Sequence, residues 1–405
     1  GCITSLVMLR VQNAESLTDQ IRGSEMKLDT KKSHILRNSI LAVAGAFVLV
    51  IAGLRIYSVS AYTRDRNEYA KAGYLNLVDG KDTRINVYST GVQNGRHTFV
   101  GLSGMGIQCY PIYADTLNER LGKENTVVYV DRPGYGFSDD SYKRQTLEEV
   151  VENFRAGLKN AGFAAPYVLM PHSYASFYAL WWEAKYPEEV EAIVFMDTIV
   201  VPKNEHWRTW TVDDYPSESA FYADARRYWL RTWLGLDRLN PLPKDEEELA
   251  DGKSTLTQAQ LDLCELTNNR RWSAAMISQD VTEPEAASEL REILKPTDTP
   301  KLWFSTYPSC EDDIREQMEF QKADYEAAGL KYKQDPETAA KAWWENEKWY
   351  CQDYYDNTLT PFLKQCGNCR LVPIGGYHHL FYAQKPDEVA DTILDFLAAG
   401  SARLQ

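Results

Sequence analysis

One segment of the chain combines a serine with the local pattern that makes a serine reactive. The apolar run YVLM at 167–170 leads into a turn of mostly small residues, PHSYAS, and then into the helical pattern FYALWWEAKYP. Ser173 would therefore lie on a tight strand-to-helix turn, at a helix N-terminus that favours developing negative charge. That position suits a nucleophile for acyl transfer. Serine is also a preferred helix N-cap, so the segment alone leaves both interpretations open.

A serine hydroxyl needs an imidazole to accept its proton, and the chain has 6 histidines. Four of them lie in places that do not suit a general base, namely beside an apolar segment, before a strand, inside the turn itself, and in a helical interval. These are His34, His97, His172 and His206. His378 and His379 remain, after the last strand pattern of the chain. A pair of solvent-facing histidines is the alternative interpretation.

The elements that must position these residues alternate along the chain. Apolar strand-like runs separate longer helical patterns, which predicts a mostly parallel α/β sheet covered by helices on both faces. The predicted strands are 75–78, 85–90, 98–102, 126–130, 167–170, 192–196, 301–305 and 370–374. The interval 201–297, rich in Trp, Tyr and acidic residues, reads as a helical insertion and we expect a lid there. A second helical interval, 311–364, is longer than one crossover helix requires.

Two further turns follow predicted strands. SGMG follows the strand that ends at Leu102, and DRPGYGFS follows the strand that ends at Val130. With the turn around Ser173, the helical insertion and GGYHH after the last strand, the chain resembles the α/β-hydrolase superfamily over residues 72–400. Five such elements in this order are specific, although each alone is weak. The resemblance implies an α/β-hydrolase core at 72–200 and 298–400, interrupted by the lid.

The resemblance also implies roles for individual residues. Ser173 would be the nucleophile, and counting back from Pro386 makes His379 the base. The orienting acid would be Asp197, at the end of the sixth strand, or Asp312 after the seventh, and we favour Asp197. The backbone amides of Met105 and Tyr174 would stabilise the oxyanion. No metal or other cofactor is expected.

The chain departs from the family pattern at the turn. The family has Gly-x-Ser-x-Gly there, whereas this chain has Pro171 and Ala175 at the glycine positions, and Ser103 replaces the usual His before the oxyanion glycine. The serine itself argues against the haloalkane dehalogenase and epoxide hydrolase branches, which form an ester on an Asp. We therefore expect a serine hydrolase that forms an acyl-enzyme. A catalytically silent binding domain, a proline-iminopeptidase-like amidase and a carbon–carbon bond hydrolase remain alternatives.

Composition limits the partners and the compartment. The chain has 405 residues and a net charge of −14, which disfavours nucleic acid as a partner. A mean hydropathy of −0.45 excludes a multi-span transporter, yet the segment SILAVAGAFVLVIAGL carries no charge. With the residues that follow it, 39–57 predicts a single transmembrane helix after a tail at 1–38. Met26 is typical of a natural start, so we leave 1–25 out of the fold. We expect an anchor with the folded body outside the cytoplasm.

Two further features bear on chemistry and substrate. The chain has 7 cysteines without a disulfide framework, and we interpret Cys366 and Cys369 as a local disulfide or two free thiols. The lid interval contains more large aromatics than a solvated cap needs, which predicts a small-molecule substrate with an apolar acyl group. These aromatics are Trp207, Trp210, Tyr222, Tyr228, Trp229, Trp233 and Trp272. The sequence does not predict the oligomeric state.

Overall fold

Runs of buried apolar residues form the centre of the protein. The computed structural model describes residues 2–141, 143, 145–201, 218–239, 244–268, 273–375 and 379–402. Within them, β3 and β5 are almost wholly buried, and every residue of β4, TVVYV, is buried. The strands are β1 Leu77–Asp79, β2 Arg84–Gly91, β3 Thr98–Leu102, β4 Thr126–Val130, β5 Tyr167–Pro171, β6 Val190–Met196, β7 Thr297–Ser305 and β8 Gly367–Pro373.

The strands form one eight-stranded sheet in the order β1-β2-β4-β3-β5-β6-β7-β8. The pairs β1–β2 and β2–β4 are antiparallel, and every other neighbouring pair is parallel. In the parallel part, Leu102 pairs with Pro171, and Met196 pairs with Phe304. The carboxyl ends of β3, β5, β6 and β7 therefore meet at one edge of the sheet, where α/β proteins bind ligands.

Helices cover both faces of the sheet. One apolar cluster packs α4, α5, α10 and α13 against one face, and a second packs α2, α3, α14 and α15 against the other. The helices are α1 Cys2–Lys71, α2 Tyr110–Tyr113, α3 Asp115–Leu121, α4 Leu147–Asn160, α5 Ser176–Lys185, α6 Glu218–Leu234, α7 Leu236–Leu239, α8 Glu246–Ala250, α9 Gln258–Asn268, α10 Ala274–Ile293, α11 Glu311–Ala327, α12 Pro336–Asp353, α13 Thr360–Cys366, α14 Phe381–Gln384 and α15 Pro386–Ala402. The prediction of a mostly parallel sheet with helices on both faces is confirmed.

Two helical insertions interrupt the core. Helices α6–α10 lie between β6 and β7, in the predicted lid interval, and α11–α13 lie between β7 and β8. Helix α10 begins with a side-chain cap, because the hydroxyl of Ser273 accepts a hydrogen bond from the amide of Met276 at 3.1 Å. Its first turns contact the loop after β4, where the amide of Ala275 donates to Asp140 at 3.1 Å. This insertion therefore packs directly on the loops at the carboxyl edge of the sheet.

The chain divides into two compact units, 1–60 and 61–405. In the first unit, the described side chains of α1 are mostly exposed and apolar. The segment Ser33–Lys71 has a window of mean hydropathy 2.3 with no residue buried, so its length and composition allow it to cross a membrane. In the second unit, Tyr69 near the end of α1 is fully buried, with its ring centroid 4.9 Å from that of Phe137.

Candidate active site

Ser173 lies on a sharp turn between β5 and α5. It has φ +53°, in the left-handed region that a residue with a side chain adopts only under strain. A short 3₁₀ turn, Ser173–Ala175, continues directly into α5. Ala175, at the second glycine position of the family pattern, is completely buried. Pro171 is accommodated as the last residue of β5, and the amide of His172 makes the next hydrogen bond to Leu102, at 2.9 Å.

His379 and Asp197 form a hydrogen-bonded pair, with 2.7 Å between Nδ1 and Oδ2. Burial alone would raise the pKa of Asp197, but the hydrogen bond and charge interaction with His379, together with the contact with Thr306, lower that pKa below its ordinary value. The carboxylate is thus ionised and can only accept, so Nδ1 of His379 carries the proton. The lone pair of the neutral ring is then on Nε2, which is the tautomer that a general base requires.

The position of Asp197 is defined by two adjacent strand ends. Asp197 directly follows β6 and has φ +48°, and its Oδ1 accepts a hydrogen bond from the amide of Thr306 at 3.1 Å. Thr306 directly follows β7, the parallel neighbour of β6. Asp312, the alternative acid, has a side chain that is 77% exposed and pairs with Arg315 at 2.8 Å. Of these two carboxylates, the structure brings Asp197 to His379 and leaves Asp312 on the surface.

The neighbour of Ser173 contacts the backbone of His379. His172 is fully buried, and its Nε2 lies 3.0 Å from the carbonyl oxygen of His379. A carbonyl only accepts, so Nε2 of His172 is the donor. The two imidazole rings are 4.2 Å apart between centroids. His172 thereby links the turn that carries Ser173 to the loop that carries His379, and sequence reasoning had assigned it no function.

The glycine turn after β3 lies against the same group. A methyl group on Gly104 would come within 2.7 Å of both Ser173 Cβ and His172 Nδ1, so only glycine fits. Met105, whose amide is a predicted oxyanion donor, follows Gly104 in this turn. The amide of Tyr174 lies at the N-terminal end of the helical segment that continues into α5, where backbone N–H groups stabilise negative charge. Both amides thus belong to segments that flank Ser173.

Several predicted residues fall outside the part of the chain that the structure describes. These include His378, Trp207, Trp210 and Trp272 and the side chains of Tyr222 and Tyr228. Trp229 and Trp233 are described and stack on each other, with centroids 5.9 Å apart. Among the described residues, no three His, Cys, Asp or Glu side chains are grouped as ligands for a metal ion.

This arrangement of sheet, turns and helical insertion defines a class of protein. A family model described as the alpha/beta hydrolase fold matches residues 97–325, and the chain belongs to that family. It is 28% identical over 269 residues to the uncharacterized protein YbdG of Bacillus subtilis, covering 66% of this chain and 79% of YbdG.

Solved structures share the fold at low sequence identity. The epoxide hydrolase CorEH, solved without ligand, has a TM-score of 0.51 and 13% identity, and the match covers 80% of this chain and 98% of CorEH. A putative ancestral haloalkane dehalogenase has a TM-score of 0.49 and 16% identity over 81% of this chain and all of its own. At 13% identity the match to CorEH shows the fold alone and leaves the reaction to be argued from the site.

Proposed function

We propose that this protein is a serine hydrolase that cleaves an ester or another acyl bond. The observation that carries the proposal is the hydrogen bond between Nδ1 of His379 and Asp197, since a proton on Nδ1 leaves the lone pair of Nε2 to act as a base. The strained backbone at Ser173 supports it further, because such strain in a residue with a side chain is typical of functional turns.

The mechanism follows from these positions. The hydroxyl oxygen of Ser173 attacks the acyl carbonyl carbon while His379 takes its proton, and the tetrahedral oxyanion is stabilised by the amides of Met105 and Tyr174. The bond to the leaving group then breaks, and His379 returns the proton to the leaving group. Water repeats the sequence on the acyl-enzyme and releases the carboxylic acid. Asp197 stabilises the imidazolium formed in each half of the reaction.

The proposed acyl group is apolar, because apolar residues lie near the turn that carries Ser173. Met105, Ile199 and Val200 are partly buried apolar residues that pack around the core beside the turn. Ile199 is immediately adjacent, since its amide donates to the carbonyl of Ser173 at 3.3 Å. Burial of apolar surface on such side chains is the main source of binding free energy for an acyl chain.

The acyl-chain dependence tests this function. Nitrophenyl esters from acetate to decanoate should show kcat/KM rising by up to about fourfold per methylene, because each buried methylene contributes about 0.8 kcal/mol. The rise should stop once further methylenes no longer reach apolar surface of the protein. A succinate ester is the matched control, since it adds chain length together with a charge, and it should be poor. A flat profile, or succinate as the best substrate, would contradict the apolar pocket and leave the serine chemistry standing.

We further propose that the apolar part of α1 anchors the protein in a membrane with the hydrolase outside the cytoplasm. Its support is an apolar window of 18 residues within Ser33–Lys71, none of which is buried. Protease added to intact cells should then digest the hydrolase unit and spare a fragment that contains 39–54. A cytoplasmic marker protein is the control for intact cells. Complete protection of the hydrolase unit would mean that this unit lies on the cytoplasmic side, which is opposite to the proposed topology.

A further inference from the structure

A guanidinium group is buried directly behind the glycine turn. Arg132 follows β4 and is only 1% exposed. Its guanidinium carbon lies 4.0 Å from the ring centroid of Tyr135 and 5.2 Å from that of Tyr178. Its charge also interacts with the buried carboxylate of Asp131, the preceding residue. Burying a cation costs free energy, which a nearby carboxylate and the faces of aromatic rings offset only in part.

The guanidinium makes one contact that bears on the site. Nη2 of Arg132 donates a hydrogen bond to the carbonyl oxygen of Gly104 at 2.8 Å. In a trans peptide the C=O and the following N–H point in opposite directions. Fixing the Gly104 carbonyl towards Arg132 therefore fixes the N–H of Met105 away from it. Gly104 itself packs against Ser173 Cβ, so this N–H belongs to a peptide that lies beside the serine.

A second contact holds the other end of the same turn. The amide of Gly106 donates to the hydroxyl of Tyr135 at 3.3 Å, and this hydroxyl donates to Gln279 of α10 at 2.5 Å. The amide group of Gln279 also donates to the hydroxyl of Tyr178, at 3.2 Å. The two rings that flank Arg132 are thus linked to each other through the helical insertion. The turn is held at Gly104 and at Gly106, on either side of Met105.

We infer that Arg132 is a positioning residue for the oxyanion site: it orients the Gly104–Met105 peptide and polarises it, so that the Met105 amide becomes a stronger donor. This inference rests on the serine-hydrolase function proposed above. A cation on the carbonyl oxygen of a peptide withdraws electron density from its N–H, and hydrogen bonds in such a chain strengthen one another. The gain appears where negative charge develops on the substrate, in the tetrahedral transition state, and not in the ground-state complex.

The test compares ground-state binding with transition-state binding in Arg132→Met, which keeps an unbranched side chain and removes the charge and the donors. The fraction of active protein is first measured by fluorophosphonate titration run to completion. Per active site, kcat should fall by about 10- to 1,000-fold, the upper end being the loss that follows removal of an oxyanion donor, while KM changes less than about threefold. The affinity of a trifluoromethyl ketone, which forms a tetrahedral adduct, should fall in parallel with kcat. Arg132→Lys should recover part of both losses.

Arg155→Met is the matched control. Arg155 also stacks on a tyrosine, with its guanidinium carbon 3.4 Å from the ring centroid of Tyr186, but it pairs with Glu152 and Glu189 on another part of the fold. Its loss should lower stability and leave kcat per active site unchanged. If Arg132→Met behaves in the same way, Arg132 is only structural and the inference is wrong.

Two other outcomes are also decisive. If Arg132→Met does not fold, Arg132→Lys provides the test. In that variant the dissociation constant of the ketone should rise by a larger factor than KM does. Equal factors for the two constants, relative to the unaltered protein, would overturn the inference. If the unaltered protein neither hydrolyses esters nor is labelled at Ser173, the proposed function fails first and the inference fails with it. Because that result precedes any change at Arg132, the two failures are distinguishable.

Discussion

Replacement of Ser173 by alanine should lower ester turnover by about four to six orders of magnitude, the loss that follows removal of a catalytic serine. The reason is chemical, because an alanine methyl group cannot form the acyl-enzyme. The fold should persist, since serine and alanine face the same steric cost at φ +53°. Turnover of a nitrophenyl ester and covalent labelling by a fluorophosphonate measure the two effects.

A second serine in the same turn provides the control for labelling. Ser176 is fully buried, and its hydroxyl donates to the carbonyl of Ile199 at 2.9 Å. In Ser176→Ala the fluorophosphonate should still attach, and peptide mapping should locate it on Ser173. If Ser173→Ala retains turnover within tenfold, Ser173 is not the nucleophile and the serine mechanism is wrong.

Local sequence was sufficient for the core strands. The structure gives β3 and β4 the predicted bounds, Thr98–Leu102 and Thr126–Val130, because each is a short apolar run between turn residues. The start of β7 differs: it begins at Thr297 rather than at residue 301, through pairing of Thr297 with Gly367. That pairing joins distant parts of the chain, so the local pattern contained no signal for it.

The same distinction separates the predicted from the missed site residues. Ser173 is visible in the sequence because a strand, a small-residue turn and a helix adjoin there. Thr306 was missed, although it follows β7 as Asp197 follows β6, and pairing these strand ends would have identified it. His172 and Arg132 act through contacts to the backbone of His379 and Gly104. Because every residue has a backbone carbonyl, no sequence motif identifies the side chain that binds it.

Substitution of either member of the His379–Asp197 pair should also cause a large loss of kcat. In His379→Gln the side chain can no longer take the serine proton, and kcat should fall by about four to six orders of magnitude. His378→Gln is the matched control, one residue earlier in the sequence, and should cost little. If His378→Gln is the crippling change instead, the spacing counted from Pro386 is wrong by one residue.

Asp197→Asn should lower kcat by about a thousandfold to ten-thousandfold through the tautomer of His379. The Thr306 amide, now 3.1 Å from Oδ1, would bind the amide oxygen of the new side chain and turn its NH₂ group towards Nδ1 of His379. Nδ1 would then have to accept, which moves the ring proton to Nε2 and removes the base.

Asp312→Asn changes an exposed surface pair and should leave kcat unchanged. Because the carboxylate acts only through the imidazole, His379→Gln combined with Asp197→Asn should be no slower than His379→Gln alone. Additive losses in that double variant would mean that Asp197 has a function separate from His379, and a loss in Asp312→Asn alone would transfer the role to the loop after β7.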